Sequence, residues 1–413
     1  MLRRFWKSKA GAALAVLAVI AAITYIGFWA TAAHAADLGG ACCSDLEERI
    51  AELEATTARK GNKKVSLTVS GVVNQGIIGW TDGLLGDSDV SVQANGINPT
   101  RLTFAGDAKI AQGWKAGFII ELAQGQWDVL SSALGIDDGI DVYTRQAAVF
   151  IQSPAGRVTV GKTNQASYWA NSVSTANLRD SDEMLSLCPL LGCSALTQNL
   201  DIYNGQFLDV VRYDSPLMAG FIVSASWSRD GTNNIFTGAT TPQDVWDVAL
   251  RYAGEFNAQW RVAAAVAYRN GAVFQGLTPI LPFPVVAFDQ TTAVASGSVM
   301  YMPMGVFVDG AIGQADFSGV GFGGLGKITS WEVRPGVEQR FSKLGKTTVY
   351  ASLMQLKIDG VTNTPRIYGL GVVQAVDAAA LNLYGSWKHI DTDQLLGAND
   401  SVDVFMAGTA LHF

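Results

Sequence analysis

The chain predicts an all-β fold: a sixteen-stranded antiparallel transmembrane β-barrel preceded by a short N-terminal periplasmic helix. Three observations predict it. From about residue 64 onward, short segments carry an apolar side chain at every second position; Trp260, Val262, Ala264, Val266 and Tyr268 alternate with Arg261, Ala263, Ala265, Ala267 and Arg269. A period of two places the two sets on opposite faces of a strand. The N-terminus reads as an export address, yet no later stretch reaches the roughly 18 apolar residues that a spanning helix needs. Aromatic side chains recur at the strand ends. In lipid only helices and closed barrels satisfy every backbone group, so a membrane body of this pattern is a barrel.

The elements follow in order. Arg3, Arg4, Lys7 and Lys9 form a positive n-region, Ala10 to Ala33 is apolar, and Ala33-His34-Ala35 is a cleavage site, so residues 1–35 read as a signal peptide. The apolar stretch is long, and an uncleaved anchor is the alternative. Residues 36–64 form a periplasmic segment in which Leu46, Ile50, Leu53 and Thr57 fall at helical spacing. About two heptads are too short to be stable alone. A three-copy coiled coil under a barrel trimer, a lone amphipathic helix under the barrel and a frayed tail all remain open. The basic run Arg59, Lys60, Lys63 and Lys64 stands at the barrel entrance, facing headgroups.

The barrel occupies 65–413. Its expected strands are 65–80, 100–110, 113–123, 143–152, 156–163, 207–214, 218–229 and 244–255, then 258–270, 290–302, 304–315, 327–340, 346–358, 364–375, 378–391 and 401–413. Short turns such as Ser153-Pro154-Ala155-Gly156 and Met302-Pro303-Met304-Gly305 alternate with long loops at 81–99, 124–142, 164–206, 230–243, 271–289 and 316–326. That alternation describes an outer-membrane barrel, with 359–363 as a short exception. Trp246, Val248, Leu250 and Tyr252 share one face of 244–255. Trp227, Tyr268, Trp331 and Trp387 fall near long loops, Trp260 and Phe413 near short turns: two interfacial girdles. The opposite face is polar. Arg101, Lys109, Lys115, Glu121, Arg157, Arg212, Asp214 and Arg251 lie there by parity, as do Ser330, Glu332, Arg334, Gly336, Glu338 and Arg340. Mixed charges on one face suit a water-filled lumen better than a dry core. Pro335 marks a bulge or shifted register.

Charge excludes some classes. The chain has 29 Lys+Arg and 36 Asp+Glu; without the four basic residues of the leader, 25 face 36, a net charge of −11. Such a chain is a poor nucleic-acid binder. Only 16% of residues are charged and 49% are apolar, too little charge for an ordinary soluble surface.

The stretch from Gly40 to Gly71, with Gly-Ala-Cys-Cys-Ser-Asp-Leu-Glu-Glu-Arg-Ile at its start and Arg59-Lys60-Gly61-Asn62-Lys63-Lys64-Val65-Ser66-Leu67 within it, resembles the start of mature alphaproteobacterial (rhizobial-type) general porins. Tyr143-Thr144-Arg145-Gln146-Ala147, Val210-Val211-Arg212-Tyr213-Asp214-Ser215-Pro216 and the terminal Phe413 are similar to further stretches of that family. The resemblance implies a homotrimer of barrels in the bacterial outer membrane that passes small hydrophilic solutes and ions. It also implies that Phe413, in phase with Leu411, Ala407 and Phe405, is read by the outer-membrane assembly machinery.

In that family the loop at 164–206 folds inward and narrows the pore. Here it carries Asp180, Asp182 and Glu183, facing Arg101, Arg157 and Arg212 of the wall, with Arg251, Glu332 and Arg334 lining the lumen. The acids predict a mild cation preference, against which the wall arginines act. Cys188 and Cys193 on the same loop are disulfide candidates in an oxidising compartment. Cys42 and Cys43 follow no lipoprotein box and have no zinc spacing. Gly321-Phe322-Gly323-Gly324-Leu325-Gly326 matches a dinucleotide pattern without its strand-to-helix context. No catalytic, cofactor-binding or metal site is expected. A passive channel is the expected role; an outer-membrane anchor or adhesin displaying the helix or loops is the alternative, and the charged inner face favours the channel.

Overall fold

The computed structural model describes residues 65–81, 89–124, 142–186, 207–233, 240–274, 287–318, 326–359, 364–391 and 401–413. The leader, the helix-spaced segment and all four cysteines lie outside the described residues. The first strands are β1 Thr68–Thr81, β2 Asp89–Ala94, β3 Arg101–Ala111, β4 Trp114–Gln124, β5 Val142–Ser153 and β6 Gly156–Asn164. β7 Phe207–Asp214, β8 Phe221–Asn233, β9 Thr240–Phe256, β10 Trp260–Phe274, β11 Ala287–Tyr301 and β12 Val306–Ser318 follow. The last are β13 Lys327–Gln339, β14 Thr347–Ile358, β15 Arg366–Val376, β16 Leu381–Asp391 and β17 Ser401–His412. All ladders are antiparallel, and β1 pairs with β17 from Val72↔His412 to Thr81↔Asp403, which closes the barrel.

β2 and β3 share one place in the ring. The upper half of β1, Gln75 to Trp80, pairs with β2; its lower half, Thr68 to Val72, pairs with β3. Seventeen strands therefore make sixteen positions. Each expected strand has a counterpart, with ends within four residues. β2 was expected to be loop. The reason is the interruption at Asn95–Thr100, where Gly96 and Pro99 break the period of two and the chain turns inward to bury Asn95, Ile97 and Asn98. A second correction concerns Pro335. The ladder to β14 loses its pairs at Arg334 and Pro335, but Val333↔Leu353 and Gly336↔Tyr350 keep one register. The missing N–H removes ladder bonds without inserting a residue.

The outer wall matches the expected girdles. Trp227, Trp246 and Tyr268 are exposed near the long-loop rim, with the Trp246 and Tyr268 rings 5.5 Å apart. Near the short-turn rim, Phe221 lies 4.6 Å from Tyr252 and Trp260 lies 4.9 Å from Tyr301. Between the girdles, Val248, Leu250, Val266, Val299, Val308 and Ile312 face outward. At the seam, Phe413 exchanges backbone bonds with Gly71 at 2.8 and 3.1 Å, and its ring fills the space that a Cβ on Gly71 would need.

The interior is not a uniformly wet lumen. Ile78, Trp80, Ile328, Met354, Leu356, Ile358, Ile367, Ile390, Val402 and Val404 form a buried apolar cluster inside β1 and β13–β17. Two further clusters are built around the segment 165–186, which leaves β6 and packs against the inside of the wall.

Candidate functional site

The segment 165–186 is held by residues that the alternating pattern turns inward. Ala249, Ala265, Ala267 and Ala311 of β9, β10 and β12 present small side chains, and Ala170, Met184 and Leu185 of the loop pack onto them. Leu178 joins a buried cluster with Val72, Met300, Phe307, Tyr350, Val373, Tyr384 and Ala410. The alanines of β10, which read as the water-facing set, are a floor for the loop.

Backbone groups on a buried loop must find partners. Inward serines supply many of them. Ala166 N donates to Ser226 Oγ at 3.1 Å, Val173 N to Ser296 Oγ at 3.2 Å and Thr175 N to Ser298 Oγ at 2.9 Å. Wall carboxylates take others: Ser167 N donates to Asp247 at 2.6 Å, Asn177 N to Glu338 at 2.8 Å and Leu185 N to Glu332 at 2.8 Å. Trp169 and Leu185 sit at φ 62° and 58°, a left-handed conformation that disfavours non-glycine residues. Such strain, of order 1–3 kcal/mol each, persists where surrounding contacts over-determine it.

The loop acids face the wall. Asp182 is 2% exposed and pairs with Lys388 Nζ at 2.5 Å and Arg334 Nη1 at 3.4 Å; Arg334, itself fully buried, also reaches Asp309 at 2.9 Å. Asp180 is 4% exposed and accepts from Asn382 at 2.7 Å and Asn98 at 2.5 Å, with His412 Nε2 at 2.8 Å. Burial opposes ionisation of both carboxyls. At Asp182 the charges of Lys388 and Arg334 outweigh it, and at Asp180 the bonds from His412, Asn382 and Asn98 do, so both are held below the ordinary aspartate range. Glu183 is half-buried and accepts from Asn171 Nδ2 at 3.1 Å.

The remaining candidates divide into two groups. Arg101 lies 3.5 Å from Glu121 and is turned toward the Asn95–Thr100 excursion, donating to Pro99 O at 3.2 Å. Glu121 also holds Arg145 at 2.6 Å, and Arg145 donates to Tyr168 Oη at 2.8 Å. Arg145 was missed as a site residue. A bulge in the β4–β5 ladder beside Glu121 inserts one residue and turns Arg145 inward, against the parity of Ala147, Val149 and Ile151. The second group faces a cavity of about 950 Å³, bounded on one side by the loop and on another by turns of the short-turn rim. Arg157, Arg179, Arg212 and Arg251 line it, with Tyr168 and Trp169. Arg212 grips Asp214 at 2.7 Å and Asn164 O at 3.1 Å; Arg251 donates to Ala166 O and Tyr168 O, both at 2.7 Å. Arg157 lies 3.7 Å over the Phe150 ring, and exposed Arg179 lies 5.2 Å from the Trp169 ring.

Glu332 and Arg334 point inward as parity requires, but at 2% and 0% exposure they lie beneath the loop rather than in open water. The mixed charges, expected to face a water-filled lumen, are here buried and paired: Arg334 stands between Asp182 and Asp309. Arg340 falls beyond β13 in a turn, exposed and paired with Asp377 at 2.6 Å.

The model of the Gram-negative porin family matches residues 13–395. No curated protein sequence matches the chain. Among solved structures, the anion-selective porin from Comamonas acidovorans superposes with a TM-score of 0.58 at 17% identity, covering 84% of this chain and 100% of its own. OprB of Pseudomonas putida gives 0.57 at 12% identity, covering 89% and 96%. The trimer form of OmpT from Vibrio cholerae gives 0.56 at 14%, covering 85% and 100%. These likenesses concern the barrel. With the family matched over nearly its whole length, the chain belongs to the Gram-negative porins, and it forms a diffusion channel in the bacterial outer membrane.

Proposed function

We propose that the chain is a passive, water-filled channel for small hydrophilic solutes and ions, narrowed by the loop that starts after β6, and that it works as a homotrimer without catalysing a reaction. The observation that carries the reading is the loop 165–186, seated on inward alanines and serines with a cavity of about 950 Å³ beside it. In this reading Arg157 and Arg212 set the wall side of the narrow part and Arg251 holds the loop entrance. Arg101 lines the adjoining wall through its contacts with Glu121 and Asn98. Asp180, Asp182, Glu332 and Arg334 fix the loop in place, and Glu183 ties it internally to Asn171. The trimer, contact with the assembly machinery through Phe413 and kinship with the rhizobial-type branch belong to the same proposal, supported by the resemblance from Gly40 to Gly71.

Reconstitution tests it. Purified protein in planar bilayers should give stepwise, ohmic conductance, and liposomes containing it should swell in small sugars faster than in large ones. A mild-detergent gel should show a heat-sensitive band near three times the monomer mass. A folded barrel that gives neither conductance nor swelling would remove the channel reading.

A further inference from the structure

We propose that this channel prefers small oxyanions, carboxylates and phosphates, over cations, and that Arg157, Arg179, Arg212 and Arg251 form the path they follow. The proposal rests on the channel reading above and names its solute class.

The charge balance around the cavity carries it. Among the described residues, two carboxylates reach the cavity, Asp182 and Asp214. Asp182 is occupied by Lys388 and Arg334. Asp214 is held by Arg212 through contacts of 2.7 to 3.1 Å and accepts from Ser224 at 2.6 Å. Arg157, Arg179 and Arg251 have no ion pair among the described residues. What they touch orients a guanidinium without cancelling its charge: the Phe150 ring at Arg157, the Trp169 ring at Arg179 and two loop carbonyls at Arg251. Among the described residues, Arg157 Nε is buried without a hydrogen-bond partner, a donor free for a permeating acceptor.

Register arranges the wall arginines as steps. Arg157 is opposite Asp214, Asp214 opposite Ser224 and Ser224 opposite Ala249. Arg212 is two residues along β7 from that row, and Arg251 is two residues along β9 on its other side. Two strand residues span about 6.6 Å, so the guanidinium bases occupy three successive inward rows. Arg179 faces the same cavity from the loop. A guanidinium presents a planar fork that matches two oxygens of a carboxylate or phosphate. A permeating ion between successive rows stays within the Debye length of about 8 Å at physiological salt, so the nearest charges act on it with little screening. Of the acids expected to attract cations, Asp180 and Asp182 are turned to the wall and Glu183 is half-buried beside Asn171, while Arg179 is exposed at the loop edge.

The test uses the full-length protein in planar bilayers across a tenfold KCl gradient. The wild type should show a reversal potential of the sign that reports chloride over potassium. Replacing Arg157, Arg179 and Arg251 together by Gln should lower the permeability ratio at least threefold. Millimolar inorganic phosphate should reduce the chloride current of the wild type, with the half-effect concentration raised at least threefold in the triple variant. Because Arg251 also holds the loop, Arg179→Glu alone, at the exposed edge, provides a variant with an undisturbed wall; it should shift the ratio toward cations. A cation-preferring wild type, a ratio unmoved by Arg179→Glu, or indifference to phosphate would overturn the proposal while leaving the channel intact. Absence of conductance would instead overturn the channel reading.

Discussion

Arg334 shows how much one residue holds here. Alternation along β13 turns it inward, and the loop then removes it from water entirely, between Asp182 and Asp309. Removing one partner of a buried ion pair leaves the others unmatched, at about 3–5 kcal/mol. Arg334→Met should therefore destabilise the barrel or release the loop, read as a lower temperature for loss of the compact band on gels. Arg340→Gln is the comparison. Its pair with Asp377 is more than half exposed, and such a surface pair is worth less than about 1 kcal/mol. Equal melting of the two variants would contradict the buried pairing.

At the scale of elements, the loop is an inner lining rather than a surface excursion. Its acids work as fasteners. Asp180 and Asp182 are held below the ordinary aspartate range, so their contribution is fully present above about pH 4, the pKa of an unfolded aspartate, and is lost as the pH falls through their folded values. Single-channel recordings should be steady at pH 7 and become noisy, with changed conductance, once the pH is taken well below the ordinary aspartate pKa and the fasteners protonate. Asp182→Asn should bring part of that noise to neutral pH. Recordings equally steady at both pH values would separate these carboxylates from loop anchoring. The β4–β5 bulge belongs to this scale too. One inserted residue beside Glu121 gives the lumen Arg145, and with it the link to Tyr168.

For the whole molecule, period-two patterning was enough to read the closure of the barrel, its girdles and the side on which Arg157, Arg212, Arg251, Glu332 and Arg334 lie. It could not reveal what covers that side. The partners of Asp180 and Asp182 come from the Asn95–Thr100 excursion and from β13, β16 and β17, 82 residues away in sequence for Asn98 and 232 for His412. No local pattern encodes such contacts. Ala265 and Ala267 are equally silent, since a small residue facing inward reads the same whether water or a loop lies above it. The interruption at Asn95–Thr100 concealed β2 because Gly96 and Pro99 look like loop, and the far partner, Asp180 O at 3.0 Å from Asn95 Nδ2, is again remote.

In the proposed channel, the loop narrows the path from a seat on the inner wall. The most direct measurement is single-channel conductance after residues 170–184 are replaced by a short Gly-Ser linker, with folding checked by the heat shift on gels. The variant should show a conductance at least half again that of the wild type and a weaker size cutoff in liposome swelling. An unchanged conductance and cutoff in a correctly folded variant would mean that the loop does not narrow the path.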